Sequence, residues 1–205
     1  MIITGNTSTK EFKLPPAGLH LARLYRIVDL GTQKVEWQGA IKMQHKLMFT
    51  FELLGDDDLK MDDGKPLIIS KRYTMSLGEQ STLRKDLEAW RGHKMTPEEL
   101  KAFDLTQLLG KFAMANVTHS ERDGKNYANL AGLTQVPKAM QANSPQGVNE
   151  LLIFDLAAFD QTKFDSLSDG IKKIIEQSAE YRGSKGDPFA EVNAKLADIS
   201  DDVPF

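Results

Sequence analysis

One stretch limits what this chain can fold into more than any other. In Lys46-Leu-Met-Phe-Thr-Phe-Glu-Leu-Leu54, the apolar Leu47, Phe49, Phe51 and Leu53 alternate with Lys46, Met48, Thr50 and Glu52. Successive side chains of a strand point to opposite faces, so a period of two predicts a half-buried β-strand. Two further strand candidates bracket it. Gly18 to Leu30 is rich in Leu, Ile, Val and Tyr and is bounded by Pro15-Pro16 and Gly31. Leu67 to Met75 carries Ile68-Ile69 and Tyr73. A polar, Gly-containing connection, Thr32 to His45, joins the first two. The acidic run Gly55 to Gly64 joins the second to the third, with Asp63-Gly64 suited to a hairpin.

Helical signals follow. Ser76-Leu-Gly-Glu79 has the form of a capping box. Leu83, Leu87 and Trp90 then recur at helical spacing up to Gly92, which places Trp90 in a core. Thr96-Pro97-Glu98-Glu99 supplies an N-cap, a proline at the first helical position and a glutamate at the third. Leu100 and Phe103 give that helix an apolar side, and Asp104 caps a further turn through Leu108-Leu109. Strands resume at Lys111 to Glu121, turn at Arg122-Asp-Gly-Lys125 and return over Asn126 to Val136. The order strand–strand–strand–helix–strand–strand is that of the OB-fold. That five-stranded barrel binds single strands on the face of its second and third strands, beside the loops after strands one and four. Other small β-barrels with an inserted helix share this order. The predicted fold is mainly β with helices: an OB-fold single-strand-binding domain over residues 1–150, with a helical insertion between strands 3 and 4.

A loop rich in Pro, Asn, Gln and Gly spans 138–149, and Leu151-Leu-Ile-Phe154 suits a short strand. One helix is predicted from Ser168 to Arg182, with Ile171, Ile174, Ile175 and Ala179 on one side and Gly183 at its end. Residues 151–183 are too few for a core of their own, so this helical extension should pack on the barrel or on a second subunit. Residues 184–205 read as an acidic, mostly flexible tail. Within it Asp187-Pro188 offers a helix start, and Phe189, Val192, Leu196 and Ile199 fit a short amphipathic helix. That leaves about residues 200–205 free.

The net charge of −3 argues at first against nucleic acid, whose binding domains are usually basic. The distribution of charge points the other way. Over residues 187–205, Asp187, Glu191, Asp198, Asp201 and Asp202 stand against Lys195 alone, a charge of −4 that leaves +1 for the body. Residues 17–50 carry Arg23, Arg26, Lys34, Lys42 and Lys46 against Asp29 and Glu36, or +3. Residues 52–65 come to −4. The chain is charge-segregated, and a local basic groove is compatible with it.

Cysteine is absent, which excludes disulfides, thiolate metal sites and a Cys nucleophile. His20, His45, His93 and His119 show no ligand spacing, and the Asp56–Asp63 cluster lacks the alternating ligands and terminal Glu of an EF-hand. No Walker loop, Gly-x-Gly-x-x-Gly or Gly-x-Ser-x-Gly occurs. No catalytic residue, metal or cofactor is therefore expected. The first eight residues have neither a basic region nor an apolar stretch long enough for a signal peptide, and no run reaches membrane-spanning length. The expected location is the cytoplasm, or the host cytoplasm if the protein is phage-encoded.

Sequence-independent single-strand binding calls for aromatic faces that stack bases and scattered cations that follow phosphates. The first connection offers Lys34, Trp37, Lys42, His45 and Lys46; an indole there suits base stacking and equally suits a lid on the barrel end. Arg23 precedes it on the first strand, beside Tyr25 and Arg26. The third strand offers Lys71, Arg72 and Tyr73. Tyr73 shares its register with Leu67, Ile69 and Met75, which favours the core over a stacking platform. Lys71 shares that register too and leaves the face open; Arg72 sits opposite. Arg122, Lys125 and Tyr127 lie at the mouth of the last hairpin, as DNA contacts or as solvated turn residues.

The tail ends in Asp201-Asp202-Val203-Pro204-Phe205. An Asp pair suits a basic rim, Phe205 an apolar hole, and its α-carboxylate an Arg or Lys, while Pro204 stiffens the approach. This tip resembles the acidic tail tip of bacterial-type single-stranded DNA-binding proteins. The phrases Ala22-Arg-Leu-Tyr-Arg-Ile-Val-Asp-Leu-Gly31, Leu83-Arg-Lys-Asp-Leu-Glu-Ala-Trp-Arg-Gly92, Asn116-Val-Thr-His119 and Gly124-Lys-Asn-Tyr-Ala-Asn129 resemble a family of tailed-phage single-stranded DNA-binding proteins. That likeness runs from about residue 15 to 182. It implies an OB-fold, sequence-independent binding of single-stranded DNA in phage replication, recombination or repair, and a tail tip that recruits partner proteins; the protein would be non-enzymatic. Two departures stand out: the linker before the tip is short and poor in Gly, Gln and Pro, and the body charge is only +1. The alternative is a protein-interaction adaptor of a recombination complex. A homo-oligomer is compatible with either.

Overall fold

A computed structural model describes residues 13–37, 39–141 and 144–184, without the side chains of Trp37 and Ser184. β1 (Gly18–Trp37) and β2 (Ala40–Leu54) form a long antiparallel hairpin in which Trp37 faces Ala40 and Leu21 faces Leu54. β3 (Ile68–Thr74) lies antiparallel along β2 from Glu52 to Lys46. Helices α1 (Thr82–Arg91) and α2 (Pro97–Lys101) precede a second hairpin, β4 (Phe112–Arg122) and β5 (Lys125–Thr134). The chain continues as α3 (Lys138–Gln141), β6 (Leu152–Phe154), α4 (Gln161–Ser166), α5 (Asp169–Glu176) and α6 (Ala179–Ser184). The fold is mainly β, a six-stranded sheet of order β3-β2-β1-β4-β5 with β6 added to β1.

β1 shares one edge between two partners. β4 pairs antiparallel with Gly18–Arg23, and β6 pairs parallel with Arg26–Val28. Between them Leu24 exchanges backbone hydrogen bonds with Gly110 and Lys111. The sheet is not closed: no ladder joins β3 to β5 among the described residues. Lys71 spans the seam instead. Its Nζ donates to Ala131 O (3.1 Å) on β5 and to Asp86 Oδ2 (2.7 Å) on α1.

The alternation in β2 builds the main core. Leu47, Phe49, Phe51 and Leu53 point inward with Ile69 and Tyr73 of β3 and meet Leu83, Leu87 and Trp90 of α1. Trp90 packs edge-on against Phe51 at 5.6 Å, and its Nε1 donates to Phe112 O (2.6 Å), which fastens α1 to β4. Each such side chain contributes about 1.5–3 kcal/mol by leaving water, so α1 is held by its apolar face rather than by its ten residues of helical propensity.

β2 departs from expectation in one respect: from Leu47 to Leu54 it is buried on both faces. The C-terminal segment covers the outward side, where Val28, Leu30 and Met48 meet Phe154, Phe164, Leu167, Ile171 and Ile175 in a second core. The helix predicted as one unit from Ser168 to Arg182 is two. Ser178 breaks it, its hydroxyl donating to Ile175 O (2.6 Å) and accepting from Tyr181 N (3.2 Å), which serves the end of α5 and the start of α6 together.

Two other boundaries shift. Ser81, not Ser76, precedes α1; Ser76 is occupied in a local turn, accepting from Gly78 N through Oγ and from the Ser81 hydroxyl through its carbonyl. The connection Thr32–His45 is no loop but the outer part of the β1–β2 hairpin, in register from Thr32 opposite His45 to Trp37 opposite Ala40. Gly31, expected to end the first strand, is instead a bulge within β1 with φ of 68°. The capping box at Thr96 is as predicted, and the Asp123-Gly124 turn has positive φ at both residues, the pattern of a type I′ hairpin.

Candidate nucleic-acid interface

Four of the predicted contact residues are engaged in holding the fold. Tyr73 is 2% exposed, packs 5.2 Å from Phe49, and donates its hydroxyl to Asp86 Oδ2 (2.8 Å). Burial and the Asp86 charge hold its phenol protonated well above the ordinary range, so it is a core residue and not a stacking platform. Lys71 shares that carboxylate at the β3–β5 seam. Arg23 donates Nε to the fully buried Glu52 (2.5 Å) and Nη2 to Asn149 O (2.5 Å). His45 faces Asp29 and Glu180. Lys71, Arg23 and His45 each already have an acidic partner.

Of the others, Lys34, Lys42, Arg72, Arg122, Lys125 and Tyr127 are exposed, Lys46 is half-buried, and the Trp37 side chain lies outside what the structure describes. Lys34 and Lys42 are exposed on the outer ribbon of the β1–β2 hairpin, which ends at Trp37. Lys46 sits at the base of that ribbon, donating to Gln44 Oε1 (2.6 Å) and Thr74 Oγ1 (2.7 Å). Partial burial lowers its pKa, and two acceptors leave one of its three ammonium protons for a ligand. Arg72 is exposed on the outward face of β3, opposite Met48. Arg122, Lys125 and Tyr127 are exposed at the tip of the β4–β5 hairpin.

Two grooves abut along β3. The first, of about 790 Å³, runs between Ile68–Ser70 and Tyr127–Ala128, with Lys13, Leu14 and Met61 on its walls. Tyr127 and Ile68 are 45% and 44% exposed there, a large apolar surface on the solvent side of the fold. Asp62 and Asp63 line its far rim, so phosphates would be repelled on that side. The second groove, of about 780 Å³, begins at Lys71 and passes Arg72, Thr74 and Lys46 to the turn 76–82. Their linings succeed one another along β3, Ile68–Ser70 and then Lys71–Thr74, from the Tyr127 end to an end where Arg72 and Lys46 stand with Glu79.

Ile68, Met61, Leu14 and Lys13 were not singled out from the sequence. Ile68 left a signal: Ile68-Ile69 places two bulky apolar residues side by side in a strand, and one of them must face outward. The outward side of β2, by contrast, is closed. Thr50 and Glu52 have no exposure, and Met48 and Leu54 are buried. Glu52 accepts from Arg23 Nε, Val148 N, Asn149 N and Asn149 Nδ2, the last two at 2.8 and 2.7 Å. Gly147 lies so close to the Arg23 guanidinium that a Cβ there would overlap it.

The predicted tail helix (Phe189, Val192, Leu196, Ile199) and the tip, Asp201 to Phe205, lie outside the described residues. Among the described residues no cluster of three or more His, Asp or Glu side chains could hold a metal, and no helix is long and apolar enough to cross a membrane. No protein-family model matches the chain, and a search of curated proteins finds no significant match.

Proposed function

We propose that this chain is a non-enzymatic protein that binds single-stranded DNA without sequence preference in phage replication or recombination. The observation that carries the reading is the strip along β3, where exposed Tyr127 and Ile68 lead past Arg72 to Lys46 and the Lys34/Lys42 ribbon. Aromatic and apolar surface suits bases, and spaced cations suit the backbone between them. The strand order, the double pairing of β1 and the placement of α1 between β3 and β4 support an OB-type barrel, its β3–β5 seam bridged by Lys71. The body phrases that resemble tailed-phage proteins support the same reading. The tip Asp201-Asp202-Val203-Pro204-Phe205 is proposed to recruit replication or recombination partners.

Titrating fluorescent oligo-dT at two salt concentrations tests this. The expected result is tight binding, shared by oligo-dA, that weakens as salt rises. Quenching of Trp37 would bring the ribbon into the interface. Absence of binding to any single strand refutes the proposal, and loss of the oligonucleotide on adding Mg²⁺ would indicate an enzyme. The second reading is an adaptor with weak or no DNA binding. Burial of the outward face of β2 favours it, because half of the surface an OB-type barrel offers to a strand is occupied.

A further inference from the structure

Two carboxylates flank one imidazole at the base of the β1–β2 ribbon. His45 Nε2 lies 2.6 Å from Asp29 Oδ1 of β1, and Nδ1 lies 3.5 Å from Glu180 Oε1 of α6. Asp155, just beyond β6, adds its charge. Glu180 is also gripped by the ribbon: Thr32 N donates to Oε2 (2.7 Å) and the Thr32 hydroxyl to Oε1 (2.5 Å). Gln33 Nε2 donates to Ile174 O at the end of α5 (2.9 Å). Gly31 makes this approach possible, since a Cβ there would lie 2.5 Å from Ser178 Cβ and 2.7 Å from Glu180 Oε2. The ribbon and the α5–α6 joint therefore meet in direct contact.

The share of the contact that His45 supplies depends on how many protons the ring carries. A neutral imidazole has one N–H and can donate to one carboxylate, whereas an imidazolium has two and can face both. The hydrogen bond to Asp29 raises the pKa of His45, against partial burial, and the charges of Asp29, Glu180 and Asp155 act in the same direction as that bond. Lys46, the next residue of β2, directs its ammonium to Gln44 and Thr74. We propose that His45 is a proton-operated clasp that tightens α6 on the ribbon as an imidazolium and loosens it as a neutral ring, leaving the Thr32 and Gln33 bonds as the remaining ties. Because its folded pKa is raised, the clasp is fully closed below about 6.5, the ordinary histidine value. It opens as pH rises through the folded value. The clasp thus couples the segment leading into the acidic tail to the ribbon that bears Lys34 and Lys42.

The clasp operates whether or not the chain binds DNA, and its test contains no nucleic acid. With no native cysteine, spin labels can be placed at Glu36 and Arg182, both exposed, and their separation measured in the full chain by electron double resonance. Between about pH 5.5 and about pH 8.5 the distance distribution should shift to longer values and broaden. His45→Gln and His45→Arg, neither of which titrates in this window, should each abolish the pH response. NMR of the unlabelled protein should show His45 titrating above the ordinary value, and Glu180→Gln should lower that midpoint. An invariant wild-type distribution overturns the proposal. So does a pH response that survives in both variants, or a His45 midpoint at or below the ordinary value.

Discussion

Replacing Glu52 by Gln removes one charge and one acceptor from the joint that holds residues 147–149 to the sheet. In the wild type Oε1 accepts from Arg23 Nε, Oε2 accepts from Asn149 N and Nδ2, and Val148 N is shared between them. An amide has one acceptor oxygen, so its NH₂ must point either at the Arg23 guanidinium or at both Asn149 donors. With Glu52 fully buried and Arg23 only 13% exposed, solvent cannot replace what is lost. Breaking a buried ion pair from one side costs about 3–5 kcal/mol, a large share of the roughly 5–15 kcal/mol that stabilises a typical domain. For a chain of this size that corresponds to a fall of roughly 6–20 °C in Tm. Urea and thermal unfolding of E52Q check the magnitude. The double variant Arg23→Met/Glu52→Leu separates charge from packing, because an apolar pair can replace a buried ion pair at little net cost. A loss below about 1 kcal/mol in E52Q, the level of an exposed pair, would refute the claim that Glu52 anchors the segment.

Lys71→Met should destabilise by about 2–4 kcal/mol in urea unfolding, because it leaves the Asp86 carboxylate with only the Tyr73 hydroxyl at the seam; Lys71→Met/Asp86→Leu should recover much of that loss. Gly31→Ala should lower Tm and speed proteolysis of the C-terminal helices, since the residue has a φ of 68° and the new methyl would strike Ser178 and Leu156. Tyr127→Ala should weaken oligo-dT binding by about 1–3 kcal/mol, the contribution of one stacked base, whereas Tyr73→Phe should lower stability and leave affinity unchanged. Deleting residues 198–205 removes Asp198, Asp201 and Asp202 and takes the net charge from −3 to 0. If the acidic end competes with DNA for the cationic strip, the truncated chain should bind oligo-dT more tightly at low salt, and equal affinity would refute that competition.

Elements were legible in the sequence where one side of a strand or helix is apolar and the other polar. Alternation in Lys46–Leu54 marked β2, helical spacing of Leu83, Leu87 and Trp90 marked α1, and Thr96-Pro97-Glu98-Glu99 marked α2. The ribbon was not legible because Thr32–Glu36 and Ile41–His45 pair mainly with each other and carry no apolar face. Their strand character continues from the buried register of Leu47, which a local pattern does not show. Among the candidate cations, charge could be read from the residue types but partners could not. Arg23 meets Glu52 across 29 positions and Lys71 meets Asp86 across 15. The same count that suggested a +3 region therefore included Arg23, already neutralised inside the fold.

Burial of Arg23 and Glu52 bears on where a strand of DNA can lie. An OB-type barrel presents β2 and β3 together, yet here the outward face of β2 lies beneath residues 144–184. Opening it would return Val28, Leu30, Met48, Phe154, Phe164, Leu167, Ile171 and Ile175 to water. At about 1.5–3 kcal/mol for each side chain, the cost is roughly 12–24 kcal/mol as an upper bound, before the loss of the Glu52 anchor. Stacking contributes about 1–3 kcal/mol per base, so several bases would be consumed in uncovering the surface that binds them. Displacement of the C-terminal segment is therefore excluded as the ordinary route. On the proposed function, a bound strand follows β3 instead, from Tyr127 and Ile68 past Arg72 to Lys46 and the ribbon, and substitutions along that column should weaken binding while those on the outward face of β2 act through stability alone.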